Sequence, residues 1–150
     1  MTTDIEETLS QLGTLDAGAP DFVPRFEAGL AEVVPRLDGA MMPRLLTLFA
    51  DDRPDAAMFS LIHTVEKLDR ATYLSGLADG MSSLVRVAPR WASIIVMRVL
   101  NDPDYVQAFG TELRDRDAET KEAVTWLMNA INARSSSFKE KTQPLLDAMQ

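Results

Sequence analysis

Apolar residues in this 150-residue chain recur three and four positions apart, in segments cut every ten to twenty residues by proline, glycine or aspartate. That spacing puts the apolar side chains on one face of an α-helix, whereas a half-buried strand needs strict alternation. β-branched residues rarely alternate with polar ones here, so the pattern predicts an all-α fold of seven to nine helices. Asp21 opens a segment with Phe22, Phe26, Leu30 and Val33 on one stripe, Pro24 fits its first turn, and Pro35 is expected to end it. Met58, Phe59, Leu61, Ile62, Val65 and Leu68 form a wider apolar arc, which predicts a central helix. Before these, Thr3 with Glu6 reads as a capping box and Gly13 as a helix stop. The predicted organisation is one helical domain over 1–150: N-terminal helices over 3–34, a helix-pair core over 36–132, and a C-terminal helix over 135–149 interrupted at Pro144.

Two connections resemble each other. Asp51-Asp52-Arg53-Pro54-Asp55 and Asp115-Arg116-Asp117-Ala118-Glu119 each separate two helical segments, and a looser version surrounds Pro89. Units of roughly 30 to 36 residues fall in the range of stacked helix pairs. The expected architecture is therefore a short HEAT-like solenoid of antiparallel pairs, with a plain helical bundle as the alternative. Gly76 and Gly80, one turn apart, would let a neighbouring helix come close.

Charge and composition limit the function. The net charge is -8, which repels nucleic acid phosphates and anionic membranes and attracts a basic partner. Neither a secretory leader nor an apolar stretch of the ~20 residues a membrane span needs is read from the chain, so a cytoplasmic protein is expected. There is no cysteine, so thiolate chemistry and disulfides are excluded. The lone histidine, His63, has Glu66 at i+3, which is too little for a zinc or di-iron site. It reads either as a charge-tunable partner contact or as a packed or capped side chain. No phosphate-binding glycine loop is present, and Ser135 to Ser137 read as a helix start. These observations predict a binding protein without catalytic residues, cofactor or metal. Trp91, Trp126, Tyr73, Phe59 and Phe49, spaced among aliphatic residues, are expected in the core. The acidic groups Asp51, Asp52 and Asp55, then Asp115, Asp117 and Glu119, read as solvated turns and caps, or as a negative stripe along one side of a stack.

The stretch from Met42 to Asp102 carries a more specific pattern. Phe49-Ala50-Asp51-Asp52, the run from Ala57-Met58-Phe59 through His63 to Glu66, Tyr73-Leu74, Ala88-Pro89-Arg90-Trp91 and Arg98-Val99-Leu100-Asn101 follow in order. This pattern resembles the bacterial immunity protein 30 family, whose members accompany polymorphic toxins and protect the producing cell; Val99 stands where isoleucine is expected. The resemblance points to Met58, Phe59, His63, Glu66, Trp91, Arg98 and Asn101 as family-motif residues and implies binding to a cognate toxin protein, with no catalytic residue to carry over. With a charge of -8, the toxin is expected to have a basic surface, such as a nuclease groove. A helical-repeat adaptor binding another protein partner is the alternative. Arg98 and Glu66 are expected either to pair with each other inside the domain or for one of them to face the toxin, and Asn101 to cap the end of its helix.

Overall fold

A computed structural model describes residues 4–150 and is built of nine α-helices among the described residues, joined by turns and short 3₁₀ segments. They are α1 (Ile5–Thr14), α2 (Phe22–Val33), α3 (Met42–Leu46), α4 (Asp55–Val65), α5 (Arg70–Val87), α6 (Pro89–Leu100), α7 (Pro103–Arg114), α8 (Ala118–Arg134) and α9 (Lys139–Ala148). The all-α expectation holds. Aspartates start many of these helices: the side chains of Asp4, Asp69, Asp102 and Asp117 each accept a backbone N–H from the first turn of α1, α5, α7 and α8. Such a cap satisfies a donor that the helix itself leaves unpaired.

Several boundaries differ from the sequence reading. Thr3 lies outside the described residues, and the cap of α1 is Asp4, which accepts from the Glu6 N–H at 3.0 Å. Gly13 does not stop α1, which ends when Leu15 turns to extended backbone. α2 does end at Val33, just before Pro35, and Pro35 itself sits inside a following 3₁₀ turn, Val34–Arg36, where its fixed φ is tolerated. The helix through Met41 to Phe49 is much shorter than its apolar pattern suggests. The Thr47 hydroxyl donates to the Arg44 carbonyl at 2.6 Å, which competes with helix continuation. Pro144 lies within α9 without interrupting it. Leu145 beside it is fully buried, and that packing against the rest of the molecule outweighs the one backbone bond that proline removes.

Helices two apart in the chain run side by side in the same direction. The start of α4 meets the start of α6 through Asp55 and Arg90, and the end of α4 meets the end of α6 through Glu66 and Arg98. In the same way, Met42 and Leu46 of α3 abut Gly76 and Gly80 of α5. Arg70 and Asp79 of α5 face Asp104 of α7 and Arg116 just beyond it. Asn101 and Gly110 lie against Lys141 and Ala148 of α9. Odd-numbered helices therefore form one layer and even-numbered helices the other, and the chain folds back between them at each connection. The core lies between the layers, with Phe22, Phe26, Phe49, Trp91 and Phe109 among its largest buried side chains.

Two turn arginines tie successive pairs together. Arg53 donates to the Leu48 carbonyl at 3.1 Å and to the Gly13 carbonyl of α1 at 3.2 Å. Arg116 donates to the Glu112 carbonyl at 3.1 Å and to the Ser75 carbonyl of α5 at 3.2 Å. Each guanidinium thus holds the end of its own helix and reaches the preceding odd helix, across 40 and 41 residues of sequence. The similarity of the two Asp-Arg turns has this physical content: the arginine fork fills carbonyls that a helix end leaves open.

Candidate functional site

Because odd helices share one direction, the connections α1–α2, α3–α4, α5–α6 and α7–α8 emerge at one end of the molecule. Arg53 confirms this for the first two, since it bridges the α3–α4 turn to the last residues of α1. Asp51, Asp52 and Asp55 lie at this end, as do Asp115, Asp117 and Glu119, and all six are exposed. The turn arginines of both groups point inward to carbonyls, while Arg86 and Arg114, in the last turns of α5 and α7, are exposed at the same end.

The six carboxylates are not equivalent. Asp55 forms a two-bond pair with Arg90, with Nη1 to Oδ1 at 2.9 Å and Nη2 to Oδ2 at 3.0 Å. Hydrogen bonding to Arg90 holds the Asp55 carboxyl below the usual carboxylate range and raises Arg90 in turn. Asp51 accepts the Arg90 backbone N–H at 3.3 Å, at the start of α6. Asp117 is occupied with capping α8, and the Thr120 backbone N–H holds its carboxyl low. The carboxylates of Asp115 and Glu119 form no hydrogen bond or ion pair among the described residues, and Asp52 stands beside Arg53. The expected stripe is thus interrupted by Arg90, and its free charge rests on Asp52, Asp115 and Glu119.

The family-motif residues divide between core and surface. Met58 and Trp91 are fully buried. Phe59 meets Trp91 edge-on, with centroids 5.2 Å apart and planes at 85°, and is itself 38% exposed. The Arg90 guanidinium lies 4.9 Å from the Trp91 centroid, so the pair that holds Asp55 is seated on the buried indole. Trp126 departs most from the core expectation: it is 56% exposed on α8. His63 is also exposed, not packed, with Nδ1 3.7 Å from Glu66 Oε1.

Glu66 and Arg98 join through two hydrogen bonds, Nε to Oε2 at 2.7 Å and Nη2 to Oε1 at 2.8 Å. They pair with each other as one sequence reading had it, but at the surface. Asn101 ends α6 in ordinary helical geometry, and its Oδ1 accepts from Lys141 Nζ at 2.7 Å, tying α6 to α9. A solvent-screened pair of this geometry contributes at most about 1 kcal/mol. A double-mutant cycle on Glu66→Ala and Arg98→Ala by urea denaturation is expected to return a coupling energy of about 0.5–1 kcal/mol. A value near zero would show that the pair does not hold α4 to α6.

Beside this pair is a small cavity, ≈ 280 Å³, lined by Glu66, Tyr73, Arg98, Val99, Asp102 and Tyr105. Sequence reasoning placed Tyr73 in the core and did not single out Tyr105. A signal was present: Tyr73 and Tyr105 stand 32 residues apart, the same separation as Glu66 and Arg98. The stacking of α4 on α6 and of α5 on α7 brings the four side chains together.

No helix among the described residues is long and apolar enough to cross a membrane. Fold and site together define an all-α protein whose distinguishing chemistry is charge displayed on its surface. Residues 18–109, more than half of the chain, match the family described as immunity protein 30, and the chain belongs to that family. The match extends on both sides of the stretch that carries the sequence resemblance. No curated protein matches the chain, and no solved structure does.

Proposed function

We propose that this single domain binds a cognate toxin protein and neutralises it by covering its working surface, with the acidic end of the helix stack meeting a basic face of the toxin. Membership of an immunity protein family supports a toxin as partner. The observation that carries the contact face is the gathering of two acidic turns at one end, with their arginines turned inward. A nuclease is the favoured target, since a groove that binds phosphates is basic and a polyanion competes for it directly. No residue of the chain is given a catalytic role in this reading.

The test begins with co-expression of toxin and immunity protein. Cells that die although folded immunity protein is present would overturn the reading. Binding kinetics then test the face. Asp52→Asn, Asp115→Asn and Glu119→Gln together remove charge without touching a capping side-chain bond or the Asp55–Arg90 pair; Asp115 closes α7 through its backbone N–H alone. Electrostatic steering raises association rates by roughly 10- to 1,000-fold. The triple variant is expected to lower the association rate about tenfold at low salt, with dissociation nearly unchanged. An association rate that responds neither to the variant nor to salt would place the contact elsewhere.

A further inference from the structure

The cavity between the α4–α5 turn and the start of α7 has the chemistry of a binding socket. Two carboxylates, Glu66 and Asp102, and one guanidinium, Arg98, line it together with Tyr73 and Tyr105. Arg98 is matched by its two bonds to Glu66, which leaves a net negative charge. One Asp102 oxygen accepts the Asp104 N–H at 3.0 Å, and its second carries no hydrogen bond among the described residues. An anion entering here would meet two carboxylates, whereas a cation meets a surplus of them.

Tyr73 supplies a second and independent observation. Only 2% of the residue is exposed, yet it lines the cavity, and its hydroxyl has no hydrogen-bond partner among the described residues. That hydroxyl opens onto the cavity, where an incoming group can reach it. Burial, reinforced by the Glu66 carboxylate, pushes the phenol above its usual range. It therefore stays neutral and keeps a lone pair for an incoming N–H donor. Tyr105 adds a ring wall. Arg70 already stands 6.0 Å from its centroid, within the distance at which a ring face attracts a cation.

We propose that this cavity is a socket for a cationic side chain, an arginine or lysine presented by the toxin partner. The socket lies at the opposite end of α4 and α6 from the Asp55–Arg90 pair, so it is a contact separate from the acidic turns. The inference rests on the toxin-binding reading for the identity of the partner, and on the cavity's own geometry for the charge of the ligand.

The experiment titrates ¹⁵N-labelled full-length protein with N-acetyl-arginine amide, and in parallel with acetate as an anionic probe. Saturable amide shifts are expected at Glu66, Tyr73, Arg98, Asp102 and Tyr105 with the arginine derivative and not with acetate. Tyr73→Phe removes only the hydroxyl, and Asp102→Asn removes charge while keeping a side chain that caps α7 equally well. Each is expected to weaken probe binding at least fivefold without altering the melting temperature by more than a few degrees. Shifts that spread over the whole acidic surface without saturating, or that both variants leave unchanged, would overturn the socket, as would acetate binding at the same amides. Toxin protection is scored in the same variants. Probe binding without protection in wild type would sink the toxin as partner and leave the socket standing, whereas full protection with no probe binding would do the reverse.

Discussion

Trp91→Ala is expected to destabilise the protein by about 3–5 kcal/mol, the range for removing a large aromatic side chain from a packed core. The indole is fully buried, wedged between the edge of Phe59 and the Arg90 guanidinium, and its loss would leave a cavity under both. Trp91→Phe is expected to behave very differently. The indole N–H of Trp91 finds no acceptor among the described residues, and a buried donor left unpaired is itself unfavourable by about 1–3 kcal/mol. Phenylalanine deletes that donor while keeping most of the apolar volume, so its net cost should stay below about 1.5 kcal/mol. Urea denaturation followed by far-ultraviolet circular dichroism, read with m held constant, separates the two variants. Equal losses in both would mean that the indole nitrogen is satisfied in solution. A loss below about 1 kcal/mol in Trp91→Ala would show that the site is not packed as described.

The result bears on what the immunity protein 30 pattern encodes in this chain. Trp91 does not reach the surface, and Met58 is equally enclosed, so both act on a partner only through the side chains they support. Arg90 is the clearest case. It rests on Trp91 and binds Asp55 and Asp51, which fixes the α3–α4 turn against the start of α6. Glu66 and Arg98 do the same at the other end of these helices. The pattern thus reads mainly as instructions for stacking α4 on α6, with His63 and the neighbouring cavity as its outward face.

The sequence carried the helices well, because a 3.6-residue period and capping aspartates are local signals. Asp69 before Arg70 and Asp117 before Ala118 are such caps, at the starts of α5 and α8. The exposure of Trp126 was also present in the period, although spacing among aliphatic residues hid it. At about 100° per residue, Trp126 points roughly 150° away from the direction shared by Val124, Leu127, Met128 and Ile131, all of which are buried. The break at Pro144 was misjudged because packing that sequence does not display outweighs the backbone bond that proline removes, whereas α2 does end before Pro35. The candidate site was legible in composition and not in pairing. Aspartates mark the turns, but the partner of Asp55 lies 35 residues away and that of Glu66 lies 32 away. Those separations become meaningful only once helices two apart are known to lie side by side.

The same stacking predicts opposite signs for one substitution at two glycines. Alanine in place of glycine raises intrinsic helix stability by up to about 1 kcal/mol in a helix interior. At Gly13, on α1, the nearest atom to an added Cβ is Leu48 Cδ2 at 3.7 Å, an ordinary contact. Gly13→Ala is therefore expected to stabilise the protein by a few tenths to 1 kcal/mol. At Gly76, on α5, an added Cβ would lie 2.3 Å from Met42 Cγ and 2.9 Å from Met42 Cβ. The second of these atoms moves only with the backbone of α3, so the two helices must separate. Overpacking of this kind costs about 1–3 kcal/mol, enough to outweigh the propensity gain. At Gly80 the near atom is Leu46 Cδ1 at 2.5 Å, the end of a flexible side chain, so Gly80→Ala should cost less than Gly76→Ala. Thermal melts of the three variants should rank Gly13→Ala highest, then Gly80→Ala, then Gly76→Ala, with each kcal/mol worth roughly 2–4 °C in a chain of this size. A Gly76→Ala protein as stable as Gly13→Ala would mean that α3 is not held against α5, and the side-by-side arrangement of odd helices would lose one of its main supports.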